Sequence, residues 1–207
     1  KLNAPIARER WSWPRFRILR DRSKSFDEVA SFSTTVLAIT SPESEPEPVN
    51  VEVVSSSYWA TLRIAPSIGR AFSADEDVGS GSHPVAIVGY ELWQRRFGGD
   101  ASLVGKSIGV NGVSLTVVGI GPRGFAGLSG RAQVWVPATM APRLSYADYL
   151  TTNQNFISVV ARLRDGVTPD QARAELALVG EEIQRLSPSE ASNPSTAFAA
   201  SALSLSE

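Results

Sequence analysis

The chain of 207 residues contains no cysteine, which excludes disulfide bonds, thiolate metal sites and cysteine nucleophiles together. It has no run of about 18 apolar residues, so the sequence predicts no membrane-spanning helix. It also lacks an initiator methionine and a signal-peptide pattern, and we therefore expect Lys1 to begin an excised fragment. It has one histidine, His83, as a candidate base for triad chemistry, while its 21 acids leave paired-carboxylate chemistry open.

Charge is nearly balanced overall, because the net charge of −1 gives no general attraction to nucleic acid. It is unevenly distributed: residues 1–24 hold eight Lys and Arg against two acids, a balance of +6 that leaves −7 for the remainder. Such a basic segment can bind nucleic acid, form a solvated helix face or lie near anionic lipid. Hydrophobic residues make up 43% of the chain, which predicts one large or two small packed domains.

The best-patterned stretch is residues 84–137, which indicates strand, helix, hairpin, glycine-rich loop and short strand in that order. A short apolar run at 85–88 predicts a buried strand, and an apolar stripe at helical spacing follows until Gly98 and Gly99 end the helix. Asn111 and Gly112 are typical of a two-residue type I′ turn, since both central positions of that turn need positive φ. The stripe consists of Leu92, Trp93 and Phe97.

The N-terminal third predicts helices and strands in alternation. Apolar residues at three-residue spacing indicate a short helix with Pro14 in its first turn. Ser25 and Glu28 fit a capping box, which predicts a second short helix ending near Ser31. The apolar spacing involves Trp13, Phe16 and Leu19, and the elements expected next are a strand at 32–40, an exposed turn at 41–48 and a half-buried strand at 49–53.

The rest of the chain outside residues 84–137 gives one strong helix signal and several weaker ones. Thr168, Pro169 and Gln171 combine an N-cap, proline at the first helical position and a capping partner. The helix they start carries an apolar stripe at 172, 176, 179, 183 and 186. Weaker signals predict a helical turn at 58–62, a capping box at 73–76, a flexible boundary at 78–82, a strand at 156–163, a loop at 187–195 and a closing strand at 198–205.

Strands and helices are interleaved, with hairpins mixed among βα units, and this favours an α+β fold with mixed sheets. The first and last segments each offer helix-plus-strand units, so the middle is expected to be a compact subdomain inserted between them. We therefore divide the chain into an N-terminal segment 1–10, a first part 11–80, an inserted subdomain 81–150 and a second part 151–207.

One glycine pattern resembles a nucleotide site. Gly119, Gly121 and Gly124 match G-x-G-x-x-G after a predicted strand, where backbone amides can approach a pyrophosphate. No helix pattern follows, and no ribose-binding acid lies about twenty residues on. A glycine-rich turn at a strand exit is therefore the preferred interpretation.

Three further groups of residues could form a site, but each also has a structural explanation. Asp75, Glu76 and Asp77 offer oxygen ligands for a hard cation, but consecutive acids point in different directions and acids are favoured in a helix's first turn. His83 is expected to be an exposed turn residue, and Ser129 lacks the spacing of a nucleophile elbow. We accordingly expect no catalytic residue, no metal site and no cofactor.

Aromatic residues give two further alternatives. The five tryptophans are expected to be core or half-buried anchors, with an exposed ligand groove as the alternative. The basic segment 8–24 has interleaved aromatics that suit nucleic acid, but their stripe favours a packed helix with a basic outer face. The tryptophans are Trp11, Trp13, Trp59, Trp93 and Trp135.

An ordered series of motifs across nearly the whole chain resembles the MacB-like periplasmic core domain of FtsX-like ABC-transporter permeases. No single motif is as specific as the series. It comprises VSSSYWATL at 54–62, PSIGRAFSADED at 66–77, VAIVGYELWQRRFGGD at 85–100, VGK at 104–106, VNG at 110–112, VVGIGPRGF at 117–125, VWVP at 134–137 and VTPDQARAEL at 167–176.

This resemblance implies an α+β domain between the first two transmembrane helices of a permease, with no catalytic residues of its own. Segment 1–10 would be membrane-proximal, and residues 81–150 would be inserted into a porter-like subdomain formed by 11–80 and 151–207. A separate or fused cytoplasmic ATPase would supply the energy, and the permease would usually be a homodimer. Its work would be efflux with periplasmic adaptor and outer-membrane partners, lipoprotein extraction or control of cell-wall hydrolases. The basic segment 8–24 would lie near the membrane, and residues 138–155, which match nothing in the family, are expected to set partner specificity.

The sequence therefore predicts a non-catalytic, extracytoplasmic domain of a bacterial inner-membrane permease, which couples cytoplasmic ATP hydrolysis to outside work and binds no nucleic acid. One alternative is a receptor-like domain that binds a lipid or peptide through exposed tryptophans. Another is a nucleotide-dependent enzyme that uses Gly119, Gly121 and Gly124.

Overall fold

A computed structural model describes residues 11–41, 44–186 and Ala200. The described chain is a mixed α+β structure, as the sequence predicts. Its α-helices are α1 (Trp13–Arg22), α2 (Tyr58–Leu62), α3 (Tyr90–Phe97), α4 (Ala141–Leu144) and α5 (Pro169–Leu186). Its strands are β1 (Phe26–Ser41), β2 (Ser44–Val54), β3 (Ile68–Gly69), β4 (Val85–Val88), β5 (Ser107–Val110), β6 (Val113–Ile120), β7 (Val134–Pro137) and β8 (Ser158–Leu163). Short 3-10 helices occupy Ala74–Asp77, Ala101–Leu103 and Ala138–Met140.

The chain divides into two compact units. The central unit is residues 30–150, and the terminal unit combines the described parts of residues 1–29 and 151–207. Residues 30–80 lie in the central unit together with residues 81–150. The physical reason is strand pairing: β1 and β2 pair with β5 and β7, so residues 30–80 group with the subdomain that follows them.

The central unit is organised around strands whose pairings close on themselves. The order β2-β7-β4-β6-β5-β1 returns to its start because β1 also pairs with β2, and β3 pairs with β6 outside this ring. Within the ring, β2 with β7 and β4 with β6 run parallel, and the other pairs are antiparallel. Apolar side chains fill the unit, with Trp59, Ile87, Leu115, Ile120 and Trp135 almost completely buried.

The terminal unit is built from two helices and a pair of strands. α1 packs against α5, and β8 lies next to β1. Glu175 of α5 accepts hydrogen bonds from the backbone N–H groups of Lys24 (2.6 Å) and Ser25 (2.7 Å), which ties the start of β1 to α5. The predicted stripe of α5 is buried at four of its positions, Ala172, Leu176, Val179 and Ile183, while Leu186 is exposed.

Local signals for most elements are confirmed. Asn111 and Gly112 have φ values of 47° and 80°, as the type I′ turn between β5 and β6 requires. Thr168 and Gln171 form the predicted reciprocal cap of α5, and Gly98 ends α3 in a left-handed conformation. The helices predicted near Trp13 and Tyr58 and the capping box of Ala74–Asp77 are also present.

The helix predicted from Ser25 and Glu28 is wrong, because this stretch belongs to β1. The Ser25 N–H that Glu28 would cap is taken by Glu175 instead. Phe26 and Val29 are buried in the strand, so tertiary packing overrides the local helix signal.

The exposed turn predicted at residues 41–48 is also wrong, because β2 begins at Ser44 and Pro48 pairs with Ala38. A strand tolerates proline where its nitrogen needs no partner. The Asn50 N–H points away from β1 toward the side chain of Gln133, and the nitrogens of Pro46 and Pro48 lie on that same side by alternation. The prolines thus lie on the side of β2 that faces β7, but β7 pairs only with residues 51–54, so no strand donor is needed at residues 46 and 48.

Three predictions fall outside the described residues: the N-terminal segment 1–10, the loop at 187–195 and, apart from Ala200, the closing strand at 198–205. Residues 138–155 lack a clear pattern but contribute to the core, since Met140, Leu144 and Tyr149 are buried. None of the helices in the described part of the chain combines the length and apolar character that a membrane crossing requires.

Candidate functional site

A buried carboxylate lies at the centre of the most organised polar cluster in the central unit. The alternation of β2 places Glu52 on the same side as half-buried Asn50, yet Glu52 is 0% exposed. Tyr58 donates its hydroxyl hydrogen to Oε2 of Glu52 at 2.6 Å, and the indole N–H of Trp135 donates to the same oxygen at 2.9 Å. The other oxygen, Oε1, accepts the backbone N–H of Ser129 at 2.7 Å.

No lysine or arginine in the described ranges forms an ion pair with Glu52. Its carboxylate is therefore stabilised by hydrogen bonds alone, which are stronger when one partner is ionised. Burial and the neighbouring charge of Glu52 raise the pKa of the Tyr58 hydroxyl above its usual range. Tyr58 therefore stays protonated and acts as a donor to Glu52.

These hydrogen bonds hold residues 122–131, which we call the glycine-rich loop. The backbone N–H of Leu128 donates to the Tyr58 hydroxyl oxygen at 2.9 Å. Gly127 has a φ of +70°, and a Cβ atom there would lie 2.4 Å from both Glu52 carboxylate oxygens. Only glycine fits this position without displacing the carboxylate.

Aromatic rings enclose one side of the same cluster. Phe125 stacks on Trp135 with ring centroids 5.6 Å apart and an interplanar angle of 7°. Trp59 meets Trp135 edge-on at 5.2 Å, and it also contacts Phe125 at 5.6 Å. The loop is therefore fixed by apolar packing at Phe125 and by polar contacts between residues 127 and 129.

Each glycine of the G-x-G-x-x-G pattern has a structural explanation. A Cβ atom at Gly119 would lie 2.6 Å from the carbonyl oxygen of Arg70, and one at Gly121 would lie 3.2 Å from the ring of Trp135. Gly124 has a φ of +77°, which favours glycine without any close neighbour. Loop residues rather than a helix follow, so the glycines shape the exit of β6.

The three consecutive acids do not converge. Glu76 is 3% exposed, and Arg70 binds its two oxygens at 2.8 and 3.2 Å. Asp77 accepts hydrogen bonds from the backbone N–H and hydroxyl of Ser56, while Asp75 is exposed. Within the described ranges, no group of three or more histidine, aspartate or glutamate side chains is arranged to hold a metal ion.

Of the remaining candidates, His83 has a buried Nδ1 atom with no hydrogen-bond partner among the described residues. His83 lies in irregular chain and is half-buried rather than fully exposed. Ser129 contributes its backbone N–H to Glu52 and accepts the Arg131 N–H through its hydroxyl oxygen at 3.4 Å. All five tryptophans are 6% exposed or less, which confirms their packing role and leaves no exposed tryptophan groove.

A surface depression of about 380 Å³ lies where α3 meets the glycine-rich loop. Oε1 of Glu91 accepts the Gly124 N–H at 3.0 Å, which joins helix to loop. Arg95 and Arg96 of α3 both bind Glu47 of β2, at 2.5 and 3.1 Å. Hydrogen bonding to Arg95 is the main cause that holds the pKa of Glu47 below its usual value. The depression is lined by Tyr90, Glu91, Gln94, Arg95 and Arg123.

Sequence reasoning missed Glu52. Strict alternation in β2 indicates a half-exposed acid, but Val53 and Val54 are consecutive apolar residues and both are buried. A strand with adjacent apolar residues is buried on both faces, and this signal at 53–54 could have indicated that Glu52 is buried as well.

Comparison with known proteins gives one family and a consistent fold. Residues 4–179 match the model of the MacB-like periplasmic core domain. The extracellular domain of the noncanonic ABC-type transporter YknZ from Gram-positive bacteria is similar in structure, with a TM-score of 0.65, 16% identity and coverage of 86% of this chain and 84% of that one. The periplasmic region of MacB from Actinobacillus actinomycetemcomitans has a TM-score of 0.65 and 12% identity, over 85% of this chain and 74% of that one. Among curated proteins, none matches the chain.

Proposed function

The chain belongs to the MacB-like periplasmic core domain family, and from this membership we propose that it is a non-catalytic coupling domain of an ABC-transporter permease. The domain lies outside the cytoplasm, where it transmits movement driven by cytoplasmic ATP hydrolysis and contacts a protein partner. The result of that movement is efflux or the handling of a lipoprotein or other extracytoplasmic protein.

The family match over residues 4–179 is the observation that carries this proposal. Two features of the central unit support it. Gly119 and Gly121 of the nucleotide-like pattern lie against Arg70 and Trp135, and Glu76 and Asp77 are bound by Arg70 and Ser56. The residues that the sequence offered for nucleotide or cation binding therefore have structural roles.

The proposed partners follow from the same membership. A cytoplasmic ABC ATPase, separate or fused, acts on the domain through the rest of the permease, and a second permease copy completes a homodimer. A periplasmic adaptor or another extracytoplasmic protein binds the exposed surface. We assign the terminal unit to the porter-like part near the membrane, with the basic segment 8–24 closest to it, and the central unit to the inserted part.

Deletion tests the proposal in the intact permease. Removing the 207 residues and joining the flanking segments should abolish the extracytoplasmic output while ATP still binds to the ATPase. Retained output, or loss of ATP binding, would contradict a coupling role.

A second measurement addresses the enzyme alternative directly. The isolated chain, titrated with a fluorescent ATP analogue at cellular ATP concentrations, should show no saturable binding. Saturable binding that is lost in Gly121→Val would revive the nucleotide site.

A further inference from the structure

The glycine-rich loop and the adjoining face of α3 have the charge and the rigidity of a recognition surface. We propose that this surface docks an acidic segment of a protein partner, and that Glu52 is the positioning residue that holds the loop in its binding conformation. This inference rests on the proposed function, since it names where the central unit meets a partner and what chemistry that partner has.

Charge is the first argument for an acidic partner. Arg123 and Arg131 are exposed at either end of the loop, and residues 121–133 contain no acid. The neighbouring acids are already engaged, Glu91 by the Gly124 N–H and Glu47 by two arginines. With Arg95, Arg96, Arg123 and Arg131 counted against Glu47, Glu52 and Glu91, the patch has a formal charge of +1, although the whole chain has a net charge of −1. Opposite charge across an interface steers association and sets its register.

Residue type and shape are the second argument. Tyr90, Arg95 and Arg123 line the depression, and tyrosine and arginine are enriched among the residues that dominate interface binding energy. Leu128 is 37% exposed on the loop and offers an apolar contact between the arginines at 123 and 131. The surface thus fits a segment in which carboxylates flank an apolar side chain.

The third argument is preorganisation by Glu52. Its carboxylate binds the Ser129 N–H directly and the Leu128 N–H through Tyr58, and Gly127 leaves it just enough room. Burying a charge without a cation is unfavourable compared with apolar packing, so stability alone does not explain the arrangement. A surface loop fixed before binding loses less entropy when a partner docks, which raises affinity.

The test selects partners without assuming their sequence. A phage-displayed library of random 12-residue peptides is selected on the immobilised 207-residue chain. We expect enriched peptides to contain at least two acidic residues beside an apolar one. Their affinity should fall at least tenfold in the charge reversal Arg123→Glu/Arg131→Glu and should change little in the control Arg17→Glu/Arg185→Glu, which reverses two exposed arginines of the terminal unit.

Glu52 is tested by the same peptides and by hydrogen exchange. In Glu52→Gln, an NH2 group replaces one carboxylate oxygen, and it cannot accept the hydrogen bonds that this oxygen accepts in the wild type. We expect faster exchange at Leu128 and Ser129, unchanged exchange in β4 and β6, and at least tenfold weaker peptide binding although both arginines remain.

Several results would overturn the proposal: no enrichment, enrichment without acids, binding that survives the reversal at Arg123 and Arg131, or unaltered loop exchange in Glu52→Gln. If Glu52→Gln fails to fold, the charge reversal Arg123→Glu/Arg131→Glu still tests whether this surface binds acidic peptides. Failure here would leave the coupling role intact, because that role is judged by deletion in the full permease. Conversely, a permease that works without the domain would refute coupling even if acidic peptides bind the loop.

Discussion

Because Glu52 is buried and no lysine or arginine of the described residues pairs with it, the cluster around it depends on matched hydrogen bonds. Its donors, Tyr58, Trp135 and the Ser129 N–H, would each lose a partner if the carboxylate were removed. A buried polar group left without a partner is unfavourable by about 1–3 kcal/mol. The residue therefore matters for stability as well as for loop shape.

Glu52→Ala should lower the free energy of unfolding by about 2–4 kcal/mol, since several buried donors become unsatisfied. Urea denaturation at neutral pH measures this change. Tyr58→Phe removes one donor and should cost less than Glu52→Ala. A loss below about 1 kcal/mol in Glu52→Ala would show that water or rearrangement satisfies the donors.

Gly127 and Gly130 form a matched pair for the loop. Both have positive φ, at +70° and +71°, but a Cβ atom meets the Glu52 carboxylate only at Gly127 and open space at Gly130. Gly130→Ala should destabilise by about 1–2 kcal/mol through backbone strain alone. Gly127→Ala should destabilise by about 1–3 kcal/mol more, because Glu52 must move. If urea denaturation gives equal losses of unfolding free energy for the two variants, the loop backbone, rather than the Glu52 carboxylate, moves to make room for the added methyl group.

At the scale of elements, α3 is joined to the β1–β2 hairpin through Glu47 by two arginines of different exposure. The side chain of Arg96 is 7% exposed and also donates to the Glu45 carbonyl at 2.9 Å, whereas that of Arg95 is 56% exposed. Arg96→Ala should cost about 2 kcal/mol and Arg95→Ala about 0.5 kcal/mol in urea denaturation. The reverse order would indicate that the exposed ion pair dominates the contact.

The link between α5 and the start of β1 should respond to pH. Burial alone would raise the pKa of Glu175, but hydrogen bonds from Ser25 and Lys24 and the charge of Lys24 outweigh it, so the pKa lies below its usual value. A carboxyl whose pKa falls on folding binds more protons in the unfolded state. Its stabilisation is therefore present above the unfolded pKa of about 4.3 and is lost as the pH drops through the folded pKa.

Glu175→Gln should thus destabilise most near neutral pH, and its difference from wild type should shrink in acid. Unfolding free energies measured between about pH 7 and 3 check this. Glu181→Gln, exposed on the same helix, provides the control and should show no such trend. A difference for Glu175→Gln that grows in acid would reverse the expected sign.

Elements with strong local signals were predictable from sequence, and elements defined by distant contacts were not. The Asn111–Gly112 turn and the Thr168 cap are set by their own residues, so both were found. The start of β1 depends on Glu175, some 150 positions away, and the prolines of β2 are tolerated because β7 pairs with β2 only at residues 51–54. The burial of Glu52 likewise depends on Trp135 and Ser129, which come 83 and 77 positions later.

For the whole molecule, the family model identifies a MacB-like periplasmic core domain, and the solved YknZ and MacB domains share its fold. The central unit has a closed ring of strands with a fixed loop at one strand exit, and the terminal unit ties α1, α5 and β8 to the start of β1. This closed ring and its fixed loop support the proposed coupling role, because a contact surface held by its own packing keeps its geometry when the domain moves.

The amount of extracytoplasmic output that the permease produces per ATP hydrolysed, which we call the coupling ratio, tests this role most directly. The permease and its ATPase are reconstituted in lipid vesicles, and extracytoplasmic output per ATP hydrolysed is measured with the domain present and deleted. We expect hydrolysis to continue after deletion while output per ATP falls to background. An unchanged ratio would contradict the coupling role.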